Sequence, residues 1–411
     1  MMNKKLKVFL GIIVALTGLT LLSACDKEED AKGQYKRTVL VYMAAENTLS
    51  YYAEADLMEI MDASYKLTEN DQLLVWFDRA QQDELPWLAR MVNGQLKDSV
   101  SIADMQISDK DEYSTDPEIF EKVLSYAYSH YPALEGYGLV LWSHATGWML
   151  TDSIATTRSY GADNGTNSSS YNGGPTLNFS TIGRILAKMP HLEFVFGDCC
   201  NFMCLESIYE LRNETDYVVG SPAEIPDPGA PYATVVPEMF RRQNAARGIM
   251  QQYADCYQEI LPLAVVKTSE MDALAEATRN VLSAIYSRLS EKRTEYPDMT
   301  GVIHYYNEYQ VRFYPYYNIF YDAGDFILKY ATDEEYRQWK AVLDRVVIDK
   351  AFAESWLVNK SWYSFYTDFE MTEEKFHGVS MFVPQDPRYG YYRRYNEDIK
   401  KFGWWWKAWN I

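Results

Sequence analysis

Cysteine is scarce. Five residues in 411 are too few for a disulfide framework, and three of them, Cys199, Cys200 and Cys204, crowd into one short stretch. Basic charge is in the minority as well: 39 Lys and Arg stand against 58 Asp and Glu, a net charge of -19. Such a surface repels a phosphate backbone and an anionic bilayer, which argues against nucleic acid as a partner. The apolar run from Val8 to Leu22, behind Lys4, Lys5 and Lys7, is too short and wrongly flanked for a membrane span and fits a secretory signal. What is present is globular composition, 47% hydrophobic and 24% charged, over enough length for two or more domains' worth of core. Disorder as the main state is excluded.

The signal ends in Leu22-Ser23-Ala24-Cys25, which resembles the lipobox of bacterial lipoproteins. There the cysteine thiol receives diacylglycerol and becomes the new amino terminus, so the resemblance makes Cys25 a lipid anchor. Asp26-Lys27-Glu28-Glu29-Asp30 resembles the acidic export tag of surface lipoproteins in some Gram-negative bacteria. Residues 1–24 are then a removed signal peptide and 25–36 an acidic tether. The implied location is the bacterial cell envelope, at the outer membrane or cell surface. Losing three Lys and no acid takes the formal charge to -22.

From Arg37 onward two kinds of segment alternate. Thr38–Met43 is an apolar run of strand length, followed by Leu49, Tyr52, Leu57, Ile60 and Met61 at helical spacing behind Asn47 or Thr48. A second buried strand, Leu73–Phe77, leads to a hairpin over Trp87–Leu96, turning at Asn93-Gly94. Asp116 and Pro117 open a helix through Tyr128. Gly138–Trp142, Leu192–Phe196 and Tyr217–Val219 are further strands, separated by helices at 180–189 and 201–213. Strands apolar on both faces and alternating with helices predict a mostly parallel sheet covered on both sides.

In such sheets chemistry collects beyond the carboxyl ends of the strands. The third strand runs into Ser143-His144-Ala145-Thr146-Gly147-Trp148 and the fourth into Gly197-Asp198-Cys199-Cys200. An imidazole and a thiol thus emerge from one sheet, where the imidazole assists ionisation of the thiol or protonates a leaving amine, and the start of the following helix would favour the thiolate. Cys199 and Cys204 read as small core residues. Cys-Cys-x-x-x-Cys lacks the paired spacing of a zinc site, and no metal site is assigned. His130, His191, His304 and His377 lack a comparable setting.

The block Leu141-Trp142-Ser143-His144-x-x-Gly147-Trp148, with Phe196-x-Asp198-x-Cys200 and Glu206 further on, resembles the clostripain family of cysteine peptidases, which share the caspase-type fold. Val41–Asn47, Ser221–Glu224 leading to Gly229-x-Pro231-Tyr232, and Gly378–Pro384 are also similar to family blocks. The resemblance implies a three-layer α/β/α catalytic domain over residues 37–262 with His144 as catalytic histidine and Cys200 as nucleophile. The oxyanion hole would come from backbone N–H groups of Ala145 and Cys200, Ala145 standing where the family usually has Gly. Family members cleave after Arg or Lys, which makes Asp198 and, by position, Asp227 the acidic residues for a basic P1 side chain. The other reading of Asp198 is a helix cap, and of Asp227 an ordinary turn residue. No cofactor is required, although calcium is linked to some relatives; no complete oxygen-ligand set stands out in the sequence.

Residues 151–178 are rich in Gly, Ser and Asn and read as an exposed loop, where self-cleavage at Arg158 is the expected activating cut. Residues 263–411 read as a carboxyl-terminal α+β subdomain packed on the catalytic unit. It holds a strand at Leu263–Val266, a long helix from Met271 to about Lys292, and a strand over Val379–Val383 with the pattern to rejoin the main sheet. Its Tyr305–Tyr321 stretch and the terminal Trp404–Trp409 suit interface packing better than a sugar or peptide platform. The expected protein is a monomeric, lipid-anchored cysteine endopeptidase acting on proteins or peptides with a basic P1 residue. The alternatives are a catalytically silent surface lipoprotein binding peptide or glycan, and a thiol redox protein using Cys199 and Cys200.

Overall fold

The computed structural model describes residues 37–81, 83–150, 159–165, 174–257, 260–305, 318–354, 369–389 and 392–411. The first part of the chain supplies strands β1 (Arg37–Ala45), β2 (Asp71–Arg79), β3 (Trp87–Val92), β4 (Gln95–Ser101), β5 (Gly136–Trp142), β6 (Leu192–Asp198) and β7 (Thr215–Gly220). The remainder adds β8 (Leu263–Lys267), β9 (Tyr321–Asp322), β10 (Val347–Ala351) and β11 (Ser380–Met381). Nine of these form one sheet in the order β10-β8-β7-β6-β5-β1-β2-β3-β4. Its centre, β7-β6-β5-β1-β2, is parallel throughout, and each edge carries antiparallel strands.

The alternation of side chains explains why this sheet is covered on both faces. Leu40, Tyr42, Leu74, Trp76, Leu139 and Leu141 enter one core, whereas Val39, Val41, Leu73, Val75, Val140 and Trp142 enter the other. Helices α1 (Ser50–Ala63), α5 (Tyr232–Met239) and α6 (Ala245–Tyr257) cover the second face. The first is covered by α2 (Pro117–His130), α3 (Phe179–Leu186), α4 (Leu205–Leu211), α7 (Met271–Glu291), α8 (Ala323–Tyr330) and α9 (Asp333–Val346). The layering is the α/β/α sandwich of the caspase-like fold.

Local chemistry sets several boundaries. Asn93 and Gly94 both hold positive φ, +47° and +71°, the twist a two-residue hairpin turn needs between β3 and β4. Asp116 accepts the N–H groups of Glu118 and Ile119, with Pro117 in the first helical turn of α2.

The carboxyl-terminal part differs from the sequence expectation in two places. β8 pairs antiparallel with β7, and β10 with β8, so the main sheet crosses the expected boundary at residue 263. The strand around Val379–Val383 does not rejoin that sheet. β11 pairs with β9 in a separate two-stranded sheet, and the Ser380 N–H donates to the Met203 carbonyl at 2.9 Å. The Glu206 carboxylate accepts the Phe382 N–H at 2.7 Å, which ties this strand to α4. Helix α10 (Tyr392–Asp398) and the terminal tryptophans close the structure. Trp404 lies edge-on against Tyr209 of α4 and Trp409 against Tyr286 of α7; both are buried, and Trp406 is exposed. Packing, not a ligand platform, is the role of Trp404 and Trp409. Among the described residues no helix is long and apolar enough to cross a membrane. Cys25, Arg158 and most of the Tyr305–Tyr321 stretch lie outside the described residues.

Candidate active site

Register brings the two candidate side chains to neighbouring strand ends. Trp142 of β5 is paired with Asp198 of β6, and His144 and Cys200 each stand two residues further along these neighbouring parallel strands. Both line one pocket, with Leu49, Trp142, Asp198, Ile225, Pro226 and Asp227. Cys199, one residue earlier, is buried in the core on the other side of the chain, and Cys204 is also buried. All three are free thiols.

The turn after β6 has its own geometry. Asn201 takes φ +54°, its N–H donates to the Ala223 carbonyl at 2.9 Å, and the Met203 N–H donates to the Ser221 carbonyl at 3.0 Å. These bonds hold Cys200–Cys204 irregular, so α4 begins at Leu205 and not at 201. The expected helix amino terminus at the sulfur is therefore missing. Asp198 does not cap that helix, the alternative reading of this residue. Asp198 accepts the Ala230 N–H on both oxygens at 3.1 Å, the Tyr232 hydroxyl at 2.9 Å and the Tyr253 hydroxyl at 3.2 Å, which clamps the loop before α5 under the pocket.

On the histidine side, the His144 carbonyl accepts the Gly161 N–H at 2.8 Å and the Thr146 N–H donates to the Ser159 carbonyl at 3.1 Å. Ala145 bridges to Tyr160. The left-handed turn in this loop falls on Gly147, φ +57°, where a Cβ would stand 2.8 Å from the Asn201 carbonyl oxygen. Ala145 itself does not take positive φ, so the missing family glycine costs no strain there. His144 Nε2 lies 2.8 Å from the Thr48 hydroxyl.

The electrostatics are acidic. Burial, then Glu224, then Asp198 and Asp227 push the Cys200 thiol up to about 12, against one opposing contact from the Ile225 N–H at 3.4 Å from the sulfur. Burial raises Glu224 to about 7 and Asp198 to about 6. Beneath the pocket, Asp56 accepts the Trp142 indole N–H at 2.7 Å, and burial followed by repulsion from Asp198 raises it to about 8. Asp227 is an exposed residue of the pocket rim, in a turn closed by the Gly229 N–H and the Pro226 carbonyl at 2.9 Å.

The sequence reading assigned no role to Asp56 or Glu224, and it offered Thr48, like Asn47, only as the cap of α1; the residue before that helix is Leu49, and no side chain caps it. Asp56 had a local signal, since it shares the buried face of α1 with Ala53, Ile60 and Ala63, where a carboxylate needs a buried partner. Glu46, Asp78 and Asp111 bring carboxylate oxygens within 4.8 Å of one another, the one such group among the described residues. An all-oxygen donor set suits a hard cation such as calcium. Burial, then the neighbouring Asp163, holds Asp78 well above the usual carboxylate range, so protons also relieve the charge there.

A caspase-like α/β sandwich with a thiol and an imidazole in one cleft defines the class as cysteine peptidase. The clostripain family model, peptidase C11, matches residues 41–409. A secreted C11 cysteine protease from Bacteroides thetaiotaomicron, solved with an irreversible peptide inhibitor, is 27% identical with a TM-score of 0.70, covering 91% of this chain and 98% of its own. An inactive zymogen C11 protease from Parabacteroides distasonis is 26% identical with a TM-score of 0.71 over the same shares. No curated protein matches the chain. The chain belongs to the clostripain family, and it is a cysteine endopeptidase.

Proposed function

We propose that this peptidase is a lipid-anchored, extracytoplasmic enzyme that cleaves proteins or peptides after Arg or Lys, with Cys200 as nucleophile and His144 as its acid–base partner. The observation that carries this reading is the pocket His144 and Cys200 share with Asp198 and Asp227, a site with two carboxylates for a guanidinium or ammonium group. Secretion of the Bacteroides thetaiotaomicron relative and the lipobox-like Leu22–Cys25 support the location.

Because the resting thiol is pushed far above neutral pH, its proton leaves as attack begins, to the imidazole of His144. The sulfur adds to the scissile carbonyl, and backbone N–H groups of Ala145 and Cys200 receive the oxyanion. His144 returns the proton to the departing amine, and water, deprotonated by the same imidazole, releases the acyl group from sulfur. Arg158 remains our candidate for the activating cut. Over residues 159–164 the chain is buried and bonded to the His144 loop, and the Parabacteroides distasonis relative is an inactive zymogen.

A P1 library scan on the mature protein, with and without calcium, followed by mass spectrometry of its own fragments, tests the reading. Cleavage confined to Arg and Lys is expected; a preference for acidic or apolar P1 residues contradicts it.

A further inference from the structure

We propose that Thr48 is a positioning residue of the active site. Its hydroxyl holds His144 by Nε2, which assigns Nδ1 to the proton exchange with Cys200. The proposal rests on the His144–Cys200 reading above and adds a third member to it from a different part of the chain.

Thr48 lies in the loop between β1 and α1, and that loop is fixed from beneath. Asn47, 2% exposed, donates from Nδ2 to the Ala44 carbonyl at 2.9 Å and to the Ala162 carbonyl at 2.7 Å, while its Oδ1 accepts the Leu49 N–H at 2.8 Å. Ser143, directly before His144, donates to the same Ala44 carbonyl at 2.7 Å and accepts the Ala162 N–H at 3.1 Å. Two buried side chains thus fasten the Thr48 loop and the His144 loop to shared backbone groups, and a displacement of one moves the other. On that frame the Thr48 hydroxyl stands 2.8 Å from His144 Nε2, and Leu49, the next residue, lines the pocket. A β-branched side chain has few χ1 choices, so the hydroxyl is held with little entropy left to lose.

The chemistry favours a hydroxyl here. A carboxylate partner would add negative charge to a site where Glu224, Asp198 and Asp227 already oppose thiolate formation. A neutral acceptor orients the ring without that penalty. During attack the sulfur proton passes to Nδ1 as the S–C bond forms; it leaves from Nδ1 to the amine as the C–N bond breaks. Nε2 keeps its proton, donated to Thr48 Oγ1, in both states.

The test uses the mature full chain with Thr48→Val, Thr48→Ser and His144→Ala. Expected for Thr48→Val is a kcat lower by about 10- to 100-fold with KM within about two-fold. The acidic limb of its kcat/KM profile moves to lower pH, because loss of the acceptor disfavours the imidazolium; Thr48→Ser restores both. In the unmutated protein, nitrogen-15 NMR of the His144 ring should show the Nε2–H tautomer. An Nδ1–H tautomer overturns the proposal. So does Thr48→Val at the unmutated rate beside an inactive His144→Ala, a KM effect equal to the kcat effect, or no rescue by Thr48→Ser. Retained activity in His144→Ala instead overturns the dyad itself.

Discussion

Substituting Glu224 tests whether the acidic cleft keeps the Cys200 thiol protonated at rest. With the Cys200 thiol at about 12, the thiolate fraction at pH 7 is on the order of 10⁻⁵, against about 3% for an ordinary thiol near 8.5. Higher basicity returns part of that deficit through nucleophilicity, with a Brønsted slope of about 0.4–0.5, so alkylation should run about two orders of magnitude slower than at an ordinary thiol. Iodoacetamide labelling from pH 6 to 10, read per peptide by mass spectrometry, compares Cys200 with the exposed Cys256 in the same chain. The Cys200 rate should climb about tenfold per pH unit without a plateau. At pH 9, where Glu224, raised to about 7, is ionised, Glu224→Gln should raise it about 3- to 10-fold, since it removes the charge that acts most strongly on the sulfur. A plateau with a midpoint below pH 8, or Cys200 outpacing Cys256 at pH 7, would mean a preformed thiolate–imidazolium pair and refute the reasoning.

Two further outcomes follow from buried carboxylates. Asp198, raised by burial to about 6, gains its proton as pH falls through that value, so KM for Arg substrates should rise below about pH 6 and Asp198→Asn should remove that dependence. For Asp322, burial acts upward, but the His377 charge, with hydrogen bonds from His377 and Tyr305, outweighs it and holds the carboxyl below its usual range. A depressed folded-state value makes this contribution fully present above the unfolded value near 3.9 and lost as pH falls through the folded one. His377→Ala should cost about 1–3 kcal/mol in urea unfolding at pH 7, because Asp322 loses its ring partner but keeps the Tyr305 hydroxyl and the N–H groups of Gly324, Asp325 and residue 377.

Much of this architecture was legible in the chain because it depends on short-range chemistry. The β1 and β2 runs are apolar on both faces, Asn93-Gly94 has the conformational freedom for a hairpin, and Asp116-Pro117 is a helix start; each needs only its neighbours. The meeting of His144 and Cys200 was legible because parallel pairing of β5 and β6 brings their ends to one edge. What escaped depends on distant partners. β8 and β10 join the main sheet by antiparallel pairing across long separations, and Ser380–Met381 finds β9 and Met203 instead. The stretch after Cys200 has helical spacing at Phe202 and Leu205, but backbone bonds to Ala223 and Ser221 hold it irregular. Thr48, Asp56 and Glu224 take their surroundings at the pocket from distant partners that folding sets beside them: His144, Trp142 and Cys200.

The most direct test of the central claim is covalent labelling of the mature protein with an arginyl chloromethyl ketone, read by intact mass and peptide mapping. One adduct on Cys200, absent in Cys200→Ala and in His144→Ala and suppressed by an excess of an Arg substrate, is predicted. Labelling on another residue, or undiminished labelling of Cys200 without His144, would contradict the account.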